Sequence, residues 1–205
     1  MADRLASQGR LVVDGFLGSH TAWLLREEVE ALRRRGCFRP ARVGSGEKRR
    51  LAPLVRRDEI CWFDPDAPVE EQNGASGVSP PDEVRRFLAR LDTLREELNR
   101  LCFLGLVRTE CHAASYGDGA FYRAHLDTFV GRPSRFISFV YFLNPDWNPD
   151  DGGCLRIHGE DPEDIAPILD RMVLFRSRDV LHEVLPVHRD RYTLTGWMSV
   201  RESRS

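Results

Sequence analysis

His125, Asp127 and His182 are the residues whose types and spacing in this chain could do chemistry together. In His125-Leu126-Asp127 an imidazole and a carboxylate stand two positions apart, and on a β-strand positions i and i+2 share a face. A third ligand is available at His182, within Val180-Leu181-His182-Glu183-Val184. Two histidines and one carboxylate cap one face of an octahedral Fe(II) and leave three positions open. Oxygen chemistry uses such positions, two for a chelating cosubstrate and one for O2. Arg191 begins the run Arg191-Tyr192-Thr193-Leu194-Thr195-Gly196-Trp197, in which alternation puts Arg191, Thr193, Thr195 and Trp197 on one face. A guanidinium on a buried face is costly without an anion. A dicarboxylate supplies one, and arginine can grip it bidentately.

The elements that must position these groups read as helices first and strands afterwards. Arg10 to Phe16 fits a short strand. Ser19 is a candidate cap for a helix through about Arg35, with Ala22, Leu25, Val29 and Leu32 at spacings of three and four and Gly36 as its stop. Residues 37–57 and 64–77 read as loops; the first carries Lys48-Arg49-Arg50. Ser79-Pro80-Pro81-Asp82-Glu83 opens a second helix whose apolar stripe runs from Val84 to Leu101. From Leu104 onward short β-like runs cover 106–115, 122–128, 136–143, 154–158, 171–175, 180–185 and 191–200, with a short helical piece near Glu163 to Leu169. This order predicts an α+β fold, mainly β with N-terminal helices, in which antiparallel strands form a sandwich or barrel and the helices cover one face.

Composition bounds the function. The 205 residues are 41% hydrophobic and 30% charged, a globular balance. The net charge of -2 gives no basic excess for a phosphate backbone, so nucleic acid is not an expected partner. No run of 18 apolar residues marks a membrane span. Five cysteines without a CxxC pair, and an N-terminus without a signal pattern, lead us to expect reduced thiols and a cytoplasmic protein. Nothing demands more than a monomer. His112, His158 and His188 read as structural or exposed, and His20 as surface.

The stretch from Glu110 to Arg201 resembles the catalytic domain of the Fe(II)- and 2-oxoglutarate-dependent prolyl hydroxylases, in the oxygen-sensor and bacterial branch. The shared features are Tyr116-Gly117-Asp118-Gly119, His125-x-Asp127, Tyr141-Phe142-Leu143-Asn144 with Asp146-Trp147, Gly152-Gly153-x-Leu155-Arg156-Ile157, His182-Glu183-Val184, and Arg191 through Trp197. Upstream, Arg57-Asp58-Glu59-Ile60-Cys61-Trp62 resembles that branch's R-x-D-x-I-x-W segment shortened by one residue. The resemblance implies a double-stranded β-helix, a jelly-roll barrel with the iron at its mouth. Residues 1–205 would then form a single dioxygenase domain, with 1–103 as helical support and substrate loop and 104–205 as the catalytic part.

Residue by residue, the resemblance implies that His125, Asp127 and His182 hold Fe(II). Arg191 would take the distal carboxylate of 2-oxoglutarate, with Tyr116, Thr195 and Trp197 lining the same pocket. Asp58 and Arg135 match an acid and a base that pair near the substrate entrance, and the loop from Arg42 to Leu54 resembles a lid over a peptide. The implied cofactor set is Fe(II), 2-oxoglutarate and O2, with ascorbate as an optional reductant. The implied reaction is 4-hydroxylation of a peptidyl proline, with a translation factor as a reasonable bacterial target. One departure stands out. A tyrosine that helps hold the distal carboxylate in oxygen-sensor relatives is Phe142 here, at a cost of about 1.5–3 kcal/mol if neither Ser138 nor a water replaces its hydroxyl. The rival readings are a hydroxylase of a free amino acid, a nucleic-acid demethylase, a zinc hydrolase on the same ligands, and a binding module without catalysis. The demethylase lacks its second arginine, since Trp197 occupies that place.

Overall fold

A computed structural model describes residues 5, 7–44, 50–64, 77–128 and 134–201. The core of the expected lid, residues 45–49, lies outside the described residues. Among the described residues, eleven strands form a seven-stranded and a four-stranded sheet, and two long helices accompany them. Helix α1 spans Ser19–Arg34 and α2 spans Asp82–Cys102. The strands are β1 Arg10–Asp14, β2 Arg39–Pro40, β3 Glu59–Trp62, β4 Leu106–Tyr116, β5 Tyr122–His125, β6 Arg135–Phe142, β7 Leu155–Ile157, β8 Glu163–Ile165, β9 Arg171–Arg176, β10 His182–Val184 and β11 Arg191–Val200. The large sheet runs β1-β9-β6-β11-β4-β3-β2 and the small one β5-β10-β7-β8, with antiparallel pairing throughout.

Period-two alternation divides the residues of the large sheet between two cores. On β6, Ile137, Phe139 and Tyr141 face α1 and α2, while Val140 and Phe142 face the small sheet; on β9, Met172 and Leu174 turn to the helices and Val173 and Phe175 turn inward. The helices present their apolar stripes, Ala22, Leu25, Val29 and Leu32 on α1 and Val84, Phe87, Leu91, Leu94 and Leu98 on α2, to the outer face of the large sheet. The inner face is thereby left to the second sheet and to the cavity between the two.

The closed barrel expected from the sequence is not what forms. Among the described residues no ladder joins the two sheets: β1 and β2 end the large one, β5 and β8 the small one. Two of those edges, β2 and β8, are only two and three residues long. Side chains such as Val140, Phe142, Leu155, Ile157 and Val173 hold the sheets together instead. Other local expectations also change. The segment after Glu163 pairs with β7 as a strand rather than forming a helix. Gly18, at φ 91, precedes α1 in place of a Ser19 side-chain cap. The Glu28 carboxylate of α1 accepts from the Glu83 and Val84 amides, both at 3.1 Å, and so caps α2.

Candidate metal and cosubstrate site

The β10–β5 ladder places His182 opposite His125. Strand β5 ends at His125, so Asp127 lies just past it rather than on it, yet its carboxylate still turns back to the imidazoles. The Nε2 atoms of His125 and His182 lie 3.5 and 3.8 Å from Asp127 Oδ1 and Oδ2. All three ligand atoms fall within 4.8 Å of one another. The Nδ1 atoms contact backbone carbonyls, His125 at Arg123 (2.8 Å) and His182 at Val180 (3.0 Å). A carbonyl only accepts, so these contacts put the proton on Nδ1 and free both Nε2 lone pairs for a metal. Burial pulls the His182 pKa down to about 4, against the pull of Asp127, which keeps the ring neutral at neutral pH. Burial opposes charge on Asp127, but His182, His125 and a 2.6 Å hydrogen bond donated by Ser138 outweigh it and hold the carboxyl well below its usual range.

The packing around the ligands is tight. The Tyr122 ring stacks on His125 with centroids 3.7 Å apart, and Phe175 packs 4.6 Å from His182. The Arg56 guanidinium lies 4.1 Å over Tyr122 and gives two hydrogen bonds to Asp58, at 2.7 and 2.5 Å. This revises the expected pairing of Asp58 with Arg135. It also restores the full R-x-D-x-I-x-W spacing, with Arg56 rather than Arg57 in its first position. Arg135 instead lies 3.3 Å over the Trp197 ring and 3.9 Å from Glu110.

A cavity of about 290 Å³ opens between the sheets, lined by the metal triad together with Tyr116, Arg135, Arg191, Thr193, Thr195 and Trp197. Arg191 lines it at 1% exposure, and among the described residues its Nε and Nη2 have no hydrogen-bond partner. Its guanidinium stands between the Tyr116 and Phe142 rings, 4.9 and 5.2 Å from their centres. Burial draws the arginine's pKa down to about 10, so it stays cationic at neutral pH. A buried cation with two unsatisfied donors facing a cavity is what a dicarboxylate's far end fits. Tyr116 is also buried, which pushes its phenol pKa up and keeps the hydroxyl protonated as a donor. Thr195 lines the cavity, but its hydroxyl is committed to the Phe139 carbonyl at 2.8 Å.

Sequence reasoning missed His112. It is 4% exposed, lines the cavity, and packs between Trp62 and Trp197 with ring centres 4.5 and 5.5 Å away. The signal was available, since His112 alternates with Tyr116 on one face of β4. The other histidines stand apart: His158 lies 3.2 Å from Glu183, turning that carboxylate away from a role as hydrolytic base, and His188 is exposed.

Residues 111–199 match the model of the 2OG-Fe(II) oxygenase superfamily. The chain is also similar to the crystal structure of a Pseudomonas putida prolyl-4-hydroxylase, with 36% identity, a TM-score of 0.83, and coverage of 98% of this chain and 97% of that one. The chain belongs to the Fe(II)/2-oxoglutarate-dependent prolyl hydroxylase family. Within the family it is similar to a Trichoplax adhaerens prolyl hydroxylase solved in complex with a hypoxia inducible factor peptide fragment, at 29% identity, with a TM-score of 0.81 and 97% and 86% of the two chains covered. Egl nine homolog 1 of Mus musculus is 34% identical over 96% of this chain and 48% of its own length. The hypoxia-inducible factor prolyl hydroxylase of Caenorhabditis elegans is 32% identical over 96% and 27%. The chain therefore spans about half or less of the length of these two curated relatives.

Proposed function

We propose that this prolyl hydroxylase family member is a dioxygenase that hydroxylates a proline within a peptide or protein, using Fe(II), 2-oxoglutarate and O2. The observation that carries this reading is the pairing of two sites in one cavity. One is an open two-histidine, one-aspartate face; the other is a buried arginine whose Nε and Nη2 have no hydrogen-bond partner among the described residues. When bound, Fe(II) with 2-oxoglutarate and O2 supplies the oxidant for an unactivated C–H bond, coupled to decarboxylation of the cosubstrate to succinate. The chain's own contribution is placement. His125, Asp127 and His182 would hold the metal, and Arg191 and Tyr116 would orient the cosubstrate. The Trp62, His112 and Trp197 rings, packed against one another at a tilt, line one wall of the cavity. Arg56, Arg135 and the Arg42–Gly44 segment also line the cavity and are candidates to meet a peptide.

The peptide assignment rests on the two similar solved structures, one named a prolyl-4-hydroxylase and the other holding a peptide fragment. To test it, the Fe(II)-loaded protein is incubated with 2-oxoglutarate and proline-containing peptides or lysate proteins. Succinate should form together with a +16 Da shift on proline, and both should be absent with His182→Ala. Succinate driven by free proline and not by any peptide would assign a small-molecule hydroxylase instead.

A further inference from the structure

Three hydroxyls that could answer for the one missing at Phe142 are already committed. Ser138 donates to Asp127 at 2.6 Å, Tyr141 points to the helical side and donates to Asp170 at 2.8 Å, and Thr195 donates to the Phe139 carbonyl at 2.8 Å. Thr193 differs from all three. It is the register partner of Phe142 across β11 and β6, and it lies two positions from Arg191 on the same face of β11. It is 1% exposed and lines the cavity, and its hydroxyl makes no hydrogen bond among the described residues. Its other neighbour in the sheet is Ala114 of β4, whose small side chain leaves room above it. A threonine at the cavity wall with an uncommitted hydroxyl, two positions from a buried guanidinium with unsatisfied donors, is placed for a ligand that uses both.

We propose that Thr193 is a cosubstrate-positioning residue whose hydroxyl, together with Arg191, hydrogen-bonds the distal carboxylate of 2-oxoglutarate in place of the hydroxyl that Phe142 lacks. This rests on the cosubstrate reading above and deepens it. The second donor to the carboxylate comes from the strand that carries Arg191 itself, rather than from the neighbouring strand β6. Gly153 secures the same corner: a Cβ there would meet Val187 Cγ1 at 2.5 Å and Arg191 Cδ at 3.0 Å. A side chain at position 153 would therefore crowd the Arg191 side chain.

The test is calorimetric titration of 2-oxoglutarate into Mn(II)-loaded protein, for the parent and for Thr193→Val, Thr193→Ser and Arg191→Met. Thr193→Val keeps the β-branched shape and removes only the hydroxyl, so its melting temperature should be close to the parent's while its Kd rises about tenfold or more. Thr193→Ser keeps the hydroxyl and should bind within about threefold of the parent. A Thr193→Val Kd within twofold of the parent, with Arg191→Met losing binding, would overturn the Thr193 assignment alone. Equal loss in the serine and valine variants would trace the effect to packing and would also overturn it. Undiminished binding in Arg191→Met would bring down the cosubstrate pocket itself.

Discussion

His182 stands opposite His125 in the β10–β5 ladder, and each ring holds the carbonyl two residues before it through Nδ1. The two imidazoles are therefore set by the same local device: a strand fixes the Cα positions and a backbone carbonyl fixes the tautomer. Among the described residues the carboxylate has no such anchor from its own segment, and Asp127 lies beyond the end of β5. Its anchor comes from the large sheet, from Ser138 on β6.

Ser138 consequently matters for metal binding although it touches no metal. Its hydroxyl donates to Asp127 Oδ2 at 2.6 Å and lies 2.9 Å from the Ser177 hydroxyl, with both serines buried. Partners that orient a ligand are worth roughly 10–100-fold in metal affinity. Ser138→Ala should weaken Fe(II) or Mn(II) binding by about that factor, measured by anaerobic titration, in addition to the about 1–3 kcal/mol of stability that loss of a buried hydrogen bond costs the metal-free protein. A metal affinity equal to the parent's would show that the carboxylate needs no outside support.

Gly153 is the second expectation. Its φ of +63 disfavours any side chain, and an added Cβ would reach Val187 Cγ1 at 2.5 Å. Gly153→Ala must shift the loop between the 3-10 turn Pro149–Asp151 and β7, and Arg191 with it. The variant should lose at least about 1 kcal/mol of stability and a larger share of 2-oxoglutarate affinity than of metal affinity. Denaturant unfolding and the two titrations separate those effects. Proportional loss of both affinities would place the damage in the fold at large.

Much of this was legible in the sequence, for identifiable reasons. Strand β11 is long and has two buried faces of different chemistry, so alternation alone assigned Arg191, Thr193, Thr195 and Trp197 to one side. Helix α2 shows its stripe over 21 residues. Short elements failed that test. Glu59-Ile60-Cys61-Trp62 is too brief to show a period, and Glu163-Asp164-Ile165 mimics the acidic first turn of a helix. The absence of closure between sheets is a property of long-range pairing, which no local pattern carries. Arg56 and Arg57 are adjacent and identical, and counting back from Asp58, Ile60 and Trp62 already places Arg56 at the head of the R-x-D-x-I-x-W pattern, the residue that meets Asp58 in the fold.

That ion pair gives the third expectation. The Asp58 side chain is fully buried, and that of its partner Arg56 is 12% exposed. Although burial lowers the guanidinium pKa, Asp58 more than restores it, so the net shift is upward. Asp58→Asn leaves a buried cation without its counter-charge, a loss of about 3–5 kcal/mol. Arg56 stacks on Tyr122 and Tyr122 on His125, so the variant should also loosen the first metal ligand. Chemical denaturation should register the stability loss, and restoring Mn(II) should recover only part of it. A loss below about 1 kcal/mol would mean that water reaches Arg56 and the pair acts as a surface bridge.

His112 gives a pH dependence whose sign follows from its burial. An exposed histidine titrates near 6.5, and burial, with Arg56 and Arg135 adding to it, holds His112 down at about 3. As the pH falls below 6.5 the unfolded chain takes up a proton that the folded chain refuses. Stability from this group is therefore full above pH 6.5 and is lost between there and about 3, at up to about 1.4 kcal/mol per pH unit. In metal-free protein, His112→Met should remove that slope and nothing else of comparable size. Between pH 7 and pH 5 the parent should lose about 2 kcal/mol more stability than the variant, read from urea unfolding at pH 7, 6 and 5. Parallel curves for the two proteins would mean that His112 is hydrated, or already protonated, in the native state, and that the packing of Trp62 and Trp197 around it does not exclude water.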